Sequence, residues 1–316
     1  MRRSGVTWTT VGLVLLAVVA VFLAFAALRS TRGTPAPKPS GSALATPNDE
    51  QKSDEDKKPN VTPSMSDALP ETIEPPLLMV DTKVAYRGGT GTCLGGASLD
   101  RTTNGGNAWR PLEVPAEAIL DIRTTGVDSV EVIGADDRCR VRMWTSADQG
   151  TTWSAPTPVS GIFVRLPDTT RDIATPSGIV KSPCPDRDIA PLAVGEVSPT
   201  EGVVLCSSGE VITTADGGLT WQAQTPVVGA QAISFEGPLL GWVLLRDGGR
   251  CPGLETQVTQ DGGTAWEFGG CVGPTRIEDD RVLPSLSFAT PTDGWADLAG
   301  QSYLSSDAGL TWQLPS

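Results

Sequence analysis

Hydrophobic and polar positions fall into three regimes along the chain. Residues 11–28 are apolar throughout apart from Gly12, follow an uncharged stretch at 6–10, and are preceded by Arg2 and Arg3. A run of about 18 residues is long enough to cross a bilayer. Ala24-Phe25-Ala26 offers the small residues of a signal-peptidase site, yet the run exceeds the ~7–15 residues of a signal core. The pattern predicts an uncleaved transmembrane anchor at 6–28 with residues 1–5 in the cytoplasm. The second regime, 29–75, is rich in Pro, Ser, Thr and mixed charge with few large apolar side chains; it predicts a disordered linker. The third, 76–316, alternates short apolar runs with turn residues, the pattern of an all-β domain.

Within that third region five segments repeat: RTTNGGNAWRPL, WTSADQGTTWSAP, ITTADGGLTWQAQ, VTQDGGTAWEFG and YLSSDAGLTWQLP. They share an octapeptide, S/T-x-D/N-x-G-x-x-W, ending at Trp109, Trp153, Trp221, Trp266 and Trp312 with intervals of 44, 68, 45 and 46 residues. The unit is therefore about 45 residues. Four short strand-like runs fit in each; in the fourth unit they lie at 232–235, 240–245, 255–259 and 265–268, in the fifth at 286–288, 295–298, 303–305 and 311–314. Four strands at this period predict a β-propeller blade. The long interval carries IFVRLPDTTRDIATPSGIVKSPCP, read as a hairpin inserted in the third of five blades, or else as a sixth blade without an octapeptide.

The octapeptide chemistry explains the repeat. Its Gly takes a positive φ at no steric cost, and its Ser or Thr closes the turn from one side. Its acid, Asp148, Asp216, Asp261 or Asp307, accepts turn amides from the other. Asn104 stands in that place in the first octapeptide, keeping an acceptor and dropping the charge. The tryptophan then wedges beside the turn as a structural staple.

Composition adds to this picture. Six cysteines, Cys93, Cys139, Cys184, Cys206, Cys251 and Cys271, all follow the apolar run, no CxxC occurs, and the chain of 316 residues contains no His. No metal or other cofactor is implied. An even cysteine count in a tethered β domain suits disulfides on the extracytoplasmic side. Cys93 with Cys139, Cys184 with Cys206 and Cys251 with Cys271 is the expected connectivity. The formal charge of -13 sits beyond residue 75, where 16 basic residues meet 29 acidic ones. Such a surface repels nucleic acid.

The octapeptides resemble the Asp-box, or BNR, repeats of sialidase-like propellers, and the Phe, Gly-Trp, octapeptide order of the last two units also resembles the photosystem II assembly and stability factor propellers. The first resemblance implies a glycan-active enzyme, the second a docking scaffold. Sialidase-type sites need a nucleophilic Tyr and an arginine triad. Only Tyr86 and Tyr303 exist, both in strand-like runs, and Arg165-Leu166-Pro167 falls after two octapeptides rather than ahead of the first. A Ser–His–Asp triad lacks its His. A two-carboxylate glycosidase stays open, because the loops opposite the octapeptides carry Asp136, Asp137, Arg138, Arg246, Asp247, Arg250, Glu278, Asp279, Asp280 and Arg281. These are the ligand-face candidates. The expected protein is a membrane-anchored propeller that binds a protein or glycan partner on that face without catalysis; the alternative is a glycoside hydrolase working there.

Overall fold

The computed structural model describes residues 73–167, 169, 171–185, 191–246, 248–273 and 283–315. The expected cytoplasmic tail, anchor and most of the linker lie outside these residues.

The described residues form six antiparallel sheets in succession. The first contains β1 (Leu77–Met79), β2 (Ala85–Gly89), β3 (Ser98–Thr102) and β4 (Arg110–Leu112); the second β5 (Ala118–Gly126), β6 (Ser129–Ala135), β7 (Val141–Ser146) and β8 (Thr157–Pro158). The third has three strands, β9 (Val164–Arg165), β10 (Ile173–Thr175) and β11 (Gly178–Val180). The fourth holds β12 (Pro191–Glu196), β13 (Gly202–Cys206), β14 (Val211–Thr214) and β15 (Gln222–Ala223). The fifth holds β16 (Ala230–Phe235), β17 (Gly241–Leu245), β18 (Leu254–Thr259) and β19 (Glu267–Val272), and the sixth β20 (Ser285–Phe288), β21 (Gly294–Leu298) and β22 (Gln301–Ser305).

The innermost strands contact one another in the closed cycle β1, β5, β9, β12, β16, β20 and back to β1. Six separate hydrophobic clusters fill the gaps between successive sheets. The molecule is a six-bladed β-propeller. This corrects the expectation of five blades: residues 162–180 are not an insertion but a blade of their own, with Ile162 and Val164 packed on blade two and Ile173 on blade four. It escapes the repeat count because its hairpin, Thr175 to Gly178, carries no Asp and no Trp.

Blades pack face to face, so their second strands are covered on both sides. β13, β17 and β21 are buried at every position, which is why GVVLC and GWVLL read as continuous apolar runs rather than alternating ones. Among the described residues, the seam between the last and first blades closes without strand exchange. Met79 N–H donates to Ser287 Oγ at 3.0 Å, Arg87 pairs with Asp297 at 3.0 Å, and Trp109 meets Trp295 edge-on at 5.9 Å.

The octapeptides sit at the turns between third and fourth strands, as their chemistry requires. In blade two Ser146 Oγ donates to Asp148 Oδ1 at 2.7 Å and accepts Gly150 N–H at 2.8 Å, while Thr152 N–H and Oγ1 donate to the two carboxylate oxygens. Blade one builds the same turn on an amide. Asn104 Oδ1 accepts Thr102 Oγ1 at 2.9 Å and Ala108 N–H at 3.0 Å, so the single oxygen replaces one carboxylate oxygen of Asp148. The bond that Thr152 Oγ1 gives the second oxygen has no counterpart there, because residue 108 is Ala.

The blade-two turn needs two successive left-handed residues, Gln149 at φ 63° and Gly150 at φ 86°. Only the second of these is marked in the sequence pattern. The tryptophans begin no strand: they precede the outer strands, half-buried, and reach across to the neighbouring blade. Trp153 Nε1 donates to Glu113 O (2.7 Å), Trp266 Nε1 to Thr225 O (3.2 Å), and Trp109 Nε1 to Ser302 Oγ (3.3 Å). These three staple blade to blade, whereas Trp312 Nε1 donates to Gly309 O of its own turn at 3.0 Å.

Candidate functional site

Two regions compete, the loop face opposite the octapeptides and the channel on the propeller axis. Octapeptide turns share one face with the turns between first and second strands: Gln149 N–H bonds Asp128 O and Gly217 N–H bonds Thr200 O. Strand alternation therefore puts the turns between second and third strands on the other face. The octapeptide side chains are occupied locally. Asn104, Asp148, Asp216, Asp261 and Asp307 each accept a hydroxyl two residues back and an amide four residues on, which makes them turn formers and not ligand groups.

The other face carries all three disulfides. Cys93–Cys139 joins the loops of blades one and two, Cys184–Cys206 ties the exit of blade three to β13, and Cys251–Cys271 closes the loop of blade five on β19. No free cysteine is left.

The candidate charges on this face divide into three groups. Asp136 is buried and fully engaged: it accepts Arg138 and Arg140 N–H and meets the Arg140 and Arg142 guanidiniums at 2.7 and 3.3 Å. Those bonds, the Arg140 side chain foremost, hold its carboxyl well below the usual range. It organises its own turn. Arg246 is also buried and donates Nε to Gln231 Oε1 at 3.0 Å, and Arg250 lies over the Phe268 ring at 5.1 Å. Asp137 and Arg138 stand exposed at the tip of the turn. Asp247, Glu278, Asp279, Asp280 and Arg281 lie outside the described residues. Among the two tyrosines, Tyr86 is buried in blade one and Tyr303 in the cluster between blades five and six; neither faces a cleft.

The axial channel encloses about 470 Å³. Its charged groups were not singled out by the sequence. Asp121 and Arg123 stand two apart on β5, hence on one side of the strand, and Arg123 reaches Glu196 at the end of β12, with contacts of 2.7 Å to Asp121 and 2.9 Å to Glu196. Burial pushes the Asp121 carboxyl up, against the pull of Arg123. One guanidinium thus sits between two carboxylates, in the place a substrate bond would need between an acid and its partner. Glu74, assigned to the linker by composition, enters the same channel. Its N–H donates to Leu192 O (3.1 Å), and its carboxyl accepts Ile233 N–H at 3.3 Å and Leu286 N–H at 3.2 Å. A single residue so ties blades four, five and six. Burial raises its carboxyl well above the ordinary value, the two N–H bonds only partly opposing. The fifth charged group is Arg165 on β9, buried, donating Nη1 to Pro191 O at 3.2 Å. The available signal was a charge on the innermost strands β5, β9 and β12, but that signal identifies nothing until blade order around the axis is known.

No family model and no curated protein matches the chain. Similar solved structures include YCF48 from Cyanidioschyzon merolae, 17% identical over 78% of this chain and 86% of that one with a TM-score of 0.43. AofleA from Arthrobotrys oligospora is 10% identical over 77% of this chain and 86% of that one, TM-score 0.42. A GH74 xyloglucanase from Xanthomonas campestris is 15% identical over 76% of this chain and 38% of its own length, TM-score 0.32. Likeness at this level assigns neither activity nor partner.

Proposed function

We propose that this chain is a membrane-tethered, extracytoplasmic docking module: an Asp-box propeller whose loop face, opposite the octapeptide turns, binds a protein partner without catalysis. The observation that supports it most is the gathering of all three disulfides at that face. Crosslinked loops lose little conformational entropy on binding, so rigidity there favours recognition. The tether reading rests on the apolar run at 11–28 and on the cysteines beyond it. The commitment of Asp136 to its own turn, and of Asp121 and Glu196 to Arg123, speaks against the hydrolase reading.

The test is site-specific photocrosslinking in the native membrane. A photoreactive residue at Leu94, 78% exposed in the loop of Cys93, is expected to give a discrete adduct, and one at Leu219, 73% exposed on the octapeptide face, to give none. The reverse pattern, or no adduct at either position, overturns docking on this face. Turnover of aryl glycosides that disappears with Asp137→Asn overturns the non-catalytic part.

A further inference from the structure

Arg165 differs from the partly buried arginines that form ion pairs: Arg87, Arg123 and Arg142 each meet a carboxylate. Arg165 is 7% exposed and, among the described residues, has no carboxylate within ion-pair distance; its one hydrogen bond is to a neutral carbonyl. Burying a guanidinium without a counter-charge is costly. Burial pulls it down to about 10, so it stays cationic at neutral pH.

Its surroundings explain how the charge is accommodated. Arg165 lines both the axial channel and a 40 Å³ recess beside it. Its Nε and Nη2 make no hydrogen bond among the described residues and are not sealed from open space. The other charged groups of the channel already have partners: Asp121 and Glu196 share Arg123, and the Glu74 carboxyl accepts Ile233 and Leu286 N–H. The recess beside the guanidinium has an apolar wall of Ile73, Pro76, Ala118, Ile119 and Leu120, together with Glu74, Thr90 and Thr92. The Glu74 carboxyl is engaged by Ile233 and Leu286 N–H and the Thr92 hydroxyl by its own turn, so most of what the wall offers a ligand is methyl and methylene surface.

We propose that the hub of the propeller is a binding site for a small carboxylate with an apolar body, its carboxylate paired with Arg165 and its hydrocarbon lodged against the wall of Ile73, Pro76, Ala118 and Ile119. A fork of N–H donors matches a carboxylate in two parallel bonds. A space of about 470 Å³ falls in the size range of small-molecule sites. This goes beyond protein docking and stands independently of it, since the hub and the loop face are separate surfaces.

The experiment is titration calorimetry on the full-length protein in detergent, with hexanoate as the probe. Its neutral isostere hexanamide and the hydrophilic carboxylate glucuronate serve as comparisons. Saturable binding of hexanoate to the folded protein is expected, with hexanamide and glucuronate each at least about tenfold weaker, the loss of one charge-assisted pairing or of the apolar contact. Arg165→Gln is expected to weaken hexanoate at least about tenfold and Arg165→Lys to retain part of the affinity. Equal binding of acid and amide, equal binding of hexanoate and glucuronate, undiminished binding by Arg165→Gln, or no hexanoate binding by the folded wild type overturns the proposal. Should Arg165→Gln fail to fold, the acid-against-amide comparison on the wild type and the Lys variant still decide it.

Discussion

Arg87 in the first blade and Asp297 in the last lie 3.0 Å apart, joining the two ends of the ring. Arg87 also meets Asp100 at 3.1 Å and covers the Trp109 ring at 4.3 Å within its own blade, so one guanidinium links these groups to the last blade. Asp297→Ala leaves that partly enclosed charge with one carboxylate fewer. The cost falls between that of an exposed pair and that of a buried one, about 2 kcal/mol. A double-mutant cycle with Arg87→Met, followed by denaturant unfolding, measures the coupling; a value near zero would show that the ring closes by packing alone.

The indoles give a second prediction. Trp153 has an acceptor in the preceding blade at 2.7 Å, whereas Trp221 Nε1 is enclosed with no partner and packs edge-on to Phe163 at 6.4 Å. Trp221→Ala is expected to cost several kcal/mol, within the range of large-to-small substitutions. Replacement by Phe separates ring from N–H: Trp153→Phe is expected to cost about 1 kcal/mol more than Trp221→Phe. Thermal melts of these variants check this.

Ala308 holds φ 62° directly before Gly309 at φ 84°. Left-handed backbone costs a side-chain-bearing residue about 1–2 kcal/mol, of which the extra unfolded-state freedom of Gly takes back ~0.5–1. Ala308→Gly should stabilise by about 0.5–1 kcal/mol and raise the melting temperature by about 2 °C. Gly309→Ala should lower it. A melt in which both changes act in the same direction contradicts the turn geometry.

Glu74 makes stability depend on pH in a specific sense. Its folded value is raised, so the folded state holds the proton more tightly. The contribution is complete below the ordinary carboxyl value near ~4.3 and is lost as pH rises through the folded value. Relative to Glu74→Gln, the wild type is expected to lose stability progressively above about pH 4.5. Parallel pH dependences for the two proteins would mean that the carboxyl is not enclosed in the hub.

Asp148 acts in the opposite sense. Hydrogen bonds from Thr152, side chain first and then backbone, hold its carboxyl down at about 2, so its contribution is present above the ordinary value and lost as pH falls toward 2. Asp148→Asn, which copies what Asn104 does in blade one, should flatten the acid limb of the unfolding curve. An unchanged acid limb would remove the octapeptide carboxylate from the turn.

Much of this molecule was determined by the chain itself. Octapeptide turns bond within eight consecutive residues, so a hydroxyl, an acid or amide, a glycine and an indole at fixed spacing suffice to place five hairpins. Their period gives the blade. Three cysteine pairs follow from proximity within or between adjacent units. Tertiary structure decided what depends on neighbours remote in sequence. Blade three has no octapeptide and a first strand of two residues, so only the blades on either side define it as a sheet. The indole acceptors of Trp153 and Trp266 lie in the preceding blade, about 40 residues away. The hub brings Glu74, Asp121, Arg165 and Glu196 onto one axis because six strands spaced along the whole domain converge there. Local hydrogen bonding can be read from residue order; an environment built by six separate strands exists only once the ring has closed.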